Sequence, residues 1–273
     1  LHETQPSIAL APPGSGLPPP RRFRQGLELR EVSFSYPGTT EPTLRGITGT
    51  FGAGETVALV GENGAGKTTL VKLLTRLYDP TSGAILLDGA PLADYDLAAL
   101  RQRSTVLFQD FAHFALSAQH NIGVGDADAA DDHDRVLTAA ARSGADAVLS
   151  KLPNGVDTPL TRAFTGGVDL SGGEWQKIAM ARAAMRDAAL VILDEPTAAL
   201  DAQAEYELFA RFRELAADRT VLLISHRFSA VRMADRILVL EGGRIIEDGS
   251  HEDLLALGGR YAALFEMQAG RYR

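Results

Sequence analysis

Gly61-Glu62-Asn63-Gly64-Ala65-Gly66-Lys67-Thr68 fits the pattern G-x-x-x-x-G-K-[ST], with the apolar run Thr56 to Val60 before it and a helical pattern from Lys67 after it. Strand, glycine-rich turn and helix, in that order, are what a phosphate cradle requires. Glycines let backbone N–H groups wrap around polyphosphate oxygens where a Cβ would block the approach. The helix start adds its positive end. Lys67 supplies a point charge to the β- and γ-phosphates, the Thr68 hydroxyl is suited to Mg²⁺, and Thr69 joins the nucleotide-binding set. Lysine is otherwise scarce, with only Lys72, Lys151 and Lys177 besides Lys67, so the other basic residues are all arginine.

Outward from this loop, Leu27, Leu29, Val32, Phe34 and Tyr36 alternate with polar neighbours, with one slip at Glu31-Val32 that suits a bulged strand. Further β-type runs are Glu55 to Val60, Ala84 to Leu87, Thr105 to Phe108, Leu190 to Leu193, Thr220 to Ile224 and Arg236 to Leu240. Several are apolar on both faces, as buried parallel strands are. Helical patterns alternate with them at Lys67 to Tyr78, Asp134 to Arg142, Gly172 to Met185, Ala202 to Leu215 and His251 to Leu257, so the class is α/β. Between about 95 and 187 the reading is mostly helical, and no internal repeat is visible.

The chain has 273 residues, 27 basic and 35 acidic, for a formal charge of −8, which argues against a nucleic-acid binder held by a basic surface. Apolar residues at 45% and charged residues at 23% describe a chain with a sizeable core. Zero cysteines exclude disulfides and thiol chemistry and fit a reducing compartment. There is no apolar run of membrane-spanning length and no signal-peptide pattern at Leu1-His2-Glu3-Thr4, so the polypeptide is not read as crossing a membrane by itself. Six of thirteen prolines fall within the first twenty residues, and residues 1–26 read as a Pro-rich linker or a tail without a role.

Leu190-Val191-Ile192-Leu193-Asp194-Glu195 places two carboxylates at the tip of a buried strand, where they call for a cation or a water network. Beside a phosphate-binding loop, Asp194 would hold Mg²⁺ through water and Glu195 would polarise a water for attack on the γ-phosphate. Alone, such a pair is also an ordinary acidic strand end. Leu170-Ser171-Gly172-Gly173-Glu174 opens a helix, and Ser171 and Glu174 have capping-box spacing. Two glycines in that first turn weaken the helix unless something such as a phosphate approaches the backbone.

With these motifs the chain resembles the nucleotide-binding domain of ABC ATPases over about residues 27 to 268. The signature LSGGQ reads LSGGE here. In the family's order stand Tyr36, the loop at 61–68, Gln109, the strand ending Asp194-Glu195, Ala198-Ala199-Leu200-Asp201, and His226. The resemblance implies a P-loop NTPase (RecA-like) core with a mainly parallel sheet and an antiparallel β-subdomain over 27–95 and 188–268. It adds an inserted α-helical subdomain over about 96–187 and a tail at 269–273. It implies ATP and Mg²⁺ as ligands, Tyr36 stacked on adenine, Gln109 at Mg²⁺ and the attacking water, and Asp201 in the nucleotide set. Glu195 would be the general base, with His226 at the γ-phosphate. Without the family, Tyr36 reads equally as a strand-edge aromatic, Gln109 as a surface amide and His226 as a strand-end histidine.

Two glycine-rich helix starts are two anion sites, more than one triphosphate needs within one subunit. The family's arrangement is a head-to-tail dimer, with each ATP between the P-loop of one subunit and Ser171, Gly172 and Gly173 of the other. The partner is a second nucleotide-binding domain, in a homodimer or a closely related heterodimer. Phe108-Gln109-Asp110 through Asn121-Ile122 resembles exporters, and so does the tail from Glu247 to Leu255 with Gly259-Arg260-Tyr261 and Gln268. This implies a transmembrane domain, on the same full-length polypeptide, and a place at the cytoplasmic face of the cell membrane. Departures are Thr165 where exporters usually carry glutamate, Pro196-Thr197 after Glu195, and Trp175 beside the signature, read as packing. A stand-alone importer subunit is the alternative. An ABC ATPase acting on nucleic acid or ribosomes is disfavoured by the charge and the single motif set. His113, His120 and His133 lack ligand spacing and read as surface residues.

Overall fold

The computed structural model describes residues 8, 15–196 and 217–269. The helical pattern expected at Ala202 to Leu215, the stretch Ala198 to Asp201, most of residues 1–14 and the tail 270–273 lie outside the described residues. In chain order the elements are β1 (Gly26–Phe34), β2 (Leu44–Gly52), β3 (Thr56–Val60), α1 (Lys67–Leu74), β4 (Ser82–Leu87), β5 (Ala90–Pro91), α2 (Leu97–Gln102) and β6 (Ser104–Leu107). There follow α3 (Ala118–Gly123), α4 (His133–Ser143), α5 (Asp146–Leu149), α6 (Gly172–Ala184), β7 (Leu190–Asp194) and β8 (Thr220–Ile224). The last elements are α7 (Phe228–Val231), β9 (Arg236–Glu241), β10 (Arg244–Gly249), α8 (His251–Leu257) and α9 (Arg260–Ala269). They fall into two compact units, one of residues 15–104, 188–194 and 218–269, the other of 105–187, 195–196 and 217.

In the first unit an antiparallel sheet has the order β2-β1-β4-β5. Glu31 has φ 50° and the β1–β2 register shifts between Leu29 and Val32, so the broken alternation in the sequence is a bulge. Beyond the bulge, Val32 and Phe34 return to the buried face with Leu27 and Leu29. A second sheet sets β10, β9, β3, β8 and β7 side by side in that order, with β9, β3, β8 and β7 parallel. Their apolar runs are buried on both faces, as parallel strands between covering layers are. β10 closes back antiparallel on β9 across Gly242-Gly243, a hairpin signal in the sequence.

The helix expected to reach Tyr78 stops at Leu74. Arg76 adopts φ 53° and is buried, its Nε 3.2 Å from Asp79 and its Nη1 donating to the Tyr95 carbonyl at 3.2 Å, while its own carbonyl accepts from Arg101 at 3.0 Å. Tertiary partners for one guanidinium thus end the helix where local pattern would continue it. The second half of the proline-rich segment is bonded to this unit. Leu17 N donates to Asp94 O at 2.8 Å and Leu17 O accepts from Asp96 N at 2.9 Å. The Asp88 carboxylate accepts from the amides of Arg24, Gln25 and Gly26 at 2.8–3.0 Å.

The second unit packs α3 and α4 on α6 around Ile122, Val136, Ala139, Ile178 and Ala181. Asn121 is fully buried, and its Nδ2 donates to the carbonyls of Phe114, Leu116 and Ser117 at 3.0–3.1 Å. That amide shapes the turn that follows Gln109. Among the described residues no helix is long and apolar enough to cross a membrane.

Candidate nucleotide site

The loop between β3 and α1 has the close approaches its glycines imply. A Cβ on Gly61 would lie 2.2 Å from the Leu240 carbonyl oxygen at the end of β9. Gly66, the N-cap of α1, has φ 110°, and a Cβ there would press on Leu44 at 2.7 Å. As a glycine the N-cap offers α1 no side-chain cap, and among the described residues no acidic residue lies in its first turn. Glu62, Asn63, Gly64 and Thr68 are exposed while Ala65 and Gly66 are buried, so the loop turns an open rim outward over a fixed floor. Lys67 Nζ donates to the carbonyls of Gly61 and Glu62 at 2.8 and 2.9 Å, which holds the ammonium on the loop itself. This donor set fits a polyphosphate, and with Thr68 beside it a phosphate-bound Mg²⁺.

Tyr36 stands next to α1. Its hydroxyl is 3.1 Å from Thr69 Oγ1 and accepts from Lys72 Nζ at 3.3 Å, and that ammonium lies 5.1 Å from the ring centroid. Phe34 and Tyr78 pack edge-on to it at 4.9 and 5.5 Å. Lys72 and Tyr78 were not singled out from the sequence as neighbours of Tyr36. Lys72 lies one turn beyond Thr69 on α1, a spacing that would have found it.

The parallel register aligns three strand ends, since Leu59 of β3 and Asp194 of β7 both face Ile224 of β8. The loop after β3, Asp194 at the tip of β7, and His226 two residues past β8 therefore lie at one edge of the sheet, the carboxyl end where open α/β sheets bind ligands. His226 is exposed. Glu195 follows Asp194 with φ 53°, a left-handed backbone that a non-glycine residue adopts at a cost of about 1–3 kcal/mol and that concentrates at functional sites. Gln109 is exposed in a turn of the second unit. Asp201 lies outside the described residues.

In the second unit Ser171 is the N-cap of α6 and forms a complete capping box with Glu174. Ser171 N and Oγ donate to Glu174 Oε2 at 2.9 and 2.8 Å, and Glu174 N donates back to Ser171 Oγ at 3.4 Å. The Ser171 amide, then its hydroxyl, hold the Glu174 carboxyl below its ordinary value of 4.5. Gly172 is exposed and Gly173 half-buried. Trp175 is buried, stacked on His113 with centroids 4.2 Å apart and rings 4° from parallel. Arg182 farther along α6 donates to the carbonyls of Asn121 and Ala112 at 2.8 and 3.0 Å, and lies 4.9 Å over the Phe114 ring. The segment that follows Gln109 is thus pinned to the helix that begins at the signature, a role for Arg182 that its sequence position does not signal. His120 Nε2 is 3.2 Å from Asp131 and His133 Nδ1 is 3.1 Å from Gln119, so each faces a protein partner.

A sequence model of the ABC transporter family matches residues 44–198. The ATP-dependent lipid A-core flippase of Burkholderia orbicola is 43% identical over 258 residues, covering 94% of this chain and 42% of the flippase. The protein of the same name from Alkalilimnicola ehrlichii is 44% identical over 257 residues, 94% of this chain and 43% of its own length. Among solved structures, a bacterial Atm1-family ABC exporter with ATP bound superposes with a TM-score of 0.86 at 35% identity, over 96% of this chain and 44% of the exporter. The chain therefore spans less than half the length of these relatives. With the phosphate-type loop, the doubled sheet and the signature helix all in place, these matches show that the chain belongs to the ABC transporter family and is one of its ATPase domains.

Proposed function

We propose that this chain is the ATP-hydrolysing domain of an ABC exporter that works as a head-to-tail pair and drives a transmembrane domain at the cytoplasmic face of the cell membrane. The observation that carries the reading is the alignment of an uncapped, glycine-built helix start with Asp194 and His226 at one sheet edge. The exporter and flippase relatives support the choice of export over import. Bound Mg²⁺ would supply positive charge at the β- and γ-phosphates, held by Thr68 and Gln109 and, through water, by Asp194. Lys67 and the loop amides hold the triphosphate, and Tyr36 offers its ring to the adenine. Glu195 takes the proton of the attacking water, and His226 donates to the γ-phosphate. Ser171, Gly172 and Gly173 present a second anion site to the nucleotide of the partner subunit.

The test has two arms. Purified chain with Mg²⁺ and ATP releases phosphate at a rate that rises with protein concentration, because an untethered domain must find its partner. Glu195→Gln, which removes the base and keeps the shape, accumulates an ATP-dependent dimer in size-exclusion runs. An elution volume that ATP does not change would sink the dimer reading.

A further inference from the structure

We infer that Arg260 is a positioning residue for the phosphate-binding loop, through which the C-terminal helix α9 sets the charge beside the bound triphosphate. Arg260 is the first residue of α9, and its guanidinium pairs at Nη2 with Glu62, the second residue of the glycine loop, and at Nε with Glu241 at 2.9 Å. The loop is close-packed where this happens, since Gly61 has no room for a Cβ against Leu240, the neighbour of Glu241. The arginine side chain is 29% exposed, against 63% for Glu62 and 48% for Glu241, so the fold fixes the cation and the carboxylates come to it.

The chain is built to hold Arg260 there. The Glu247 carboxylate accepts from the amides of Arg260 and Tyr261 at the start of α9. Gly259 leaves space for it, because a Cβ would lie 2.2 Å from Glu247 Oε1. Tyr261 is fully buried in the cluster of Val60, Phe228, Val239 and Leu254, and its hydroxyl is 2.7 Å from His251 Nδ1. Gly259-Arg260-Tyr261 therefore reads as clearance, cation and anchor. Glu62 carries a negative charge on a loop whose ligand is polyanionic. One arginine between two carboxylates leaves a net charge of −1 beside the cradle, and without the arginine it is −2. The inference rests on the nucleotide reading of the loop.

Calorimetric titration of the 273-residue chain with ATP and with ADP tests it. Arg260→Ala is expected to raise the Kd for ATP about five-fold at low salt, the Kd for ADP less, and both effects shrink as salt screens the site. Arg260→Lys, which keeps the charge and loses the fork, falls between. In a Glu62→Gln background the effect of Arg260→Ala drops to about two-fold or less, because the loop carboxylate that Arg260 holds in place is gone and only the pair with Glu241 remains. Loss of the same size in both backgrounds, or a salt-independent loss that tracks a lower Tm, would make the role structural and overturn the inference. Unchanged affinity would overturn it as well. Wild-type chain that binds neither nucleotide, or binds them alike after Lys67→Ala, would overturn the loop reading and this inference with it.

Discussion

Among the described residues, the glycine-rich starts of α1 and α6 are finished in opposite ways. At α1 the N-cap is Gly66, which has no side chain to offer, and the first turn holds no carboxylate. At α6 the N-cap is Ser171, and its box with Glu174 occupies the same kind of amide before any ligand arrives. A helix start without a cap keeps its positive end for a ligand. A capped start spends part of that end on its own stability and adds an ionised carboxylate in the first turn. The first start can hold an anion by itself. The second is stable while empty, which suits the proposed pair, in which another subunit would bring the phosphate to it.

The largest break in this contrast comes from Lys67→Ala. It removes the loop's charge and its contacts with the Gly61 and Glu62 carbonyls, and raises the Kd for ATP about 50-fold. A change under about three-fold in calorimetry would mean that the helix start alone suffices. Ser171→Ala probes the other start, and loss of the cap lowers unfolding stability by about 1 kcal/mol in a urea titration. Unaltered stability would show that water serves the α6 amides as well as serine does.

The smallest effect concerns acid. Glu174 is held below its ordinary value first by the Ser171 amide and then by its hydroxyl. A lowered carboxyl contributes stability that is present above the unfolded value of 4.5 and is lost as pH falls through the folded one. Glu174→Gln keeps the box geometry and flattens that acid limb of the stability curve. An acid limb that Glu174→Gln leaves unaltered would place the titrating group elsewhere.

Which of these features the sequence announced follows from how local their causes are. The glycine loop, the Ser171 box and the bulge at Glu31 are settled within a few residues, and each was readable as a pattern. The overlong reading of α1 failed because Arg76 takes its backbone angle from partners on other elements. β2, with three glycines in nine residues, lacks a strand signal of its own and is held by its pairing with β1. Glu62 and Arg260 are 198 positions apart, and nothing near either one points to the other. Alignment of Asp194 and His226 with the loop was inferred from motif order; the parallel register of β3, β8 and β7 is its physical cause.

The chain has a single tryptophan, and it lies in the first turns of α6, face to face with His113. An indole stacked on an imidazole changes its emission with the charge and distance of that ring. Burial and Arg182 keep the imidazole below its ordinary value of 6.5, so the stack is with the neutral ring at physiological pH. The protein therefore carries an optical reporter of its own, placed where the segment after Gln109 meets the signature helix. A movement that draws the two apart is expected to change the tryptophan fluorescence, with no label added.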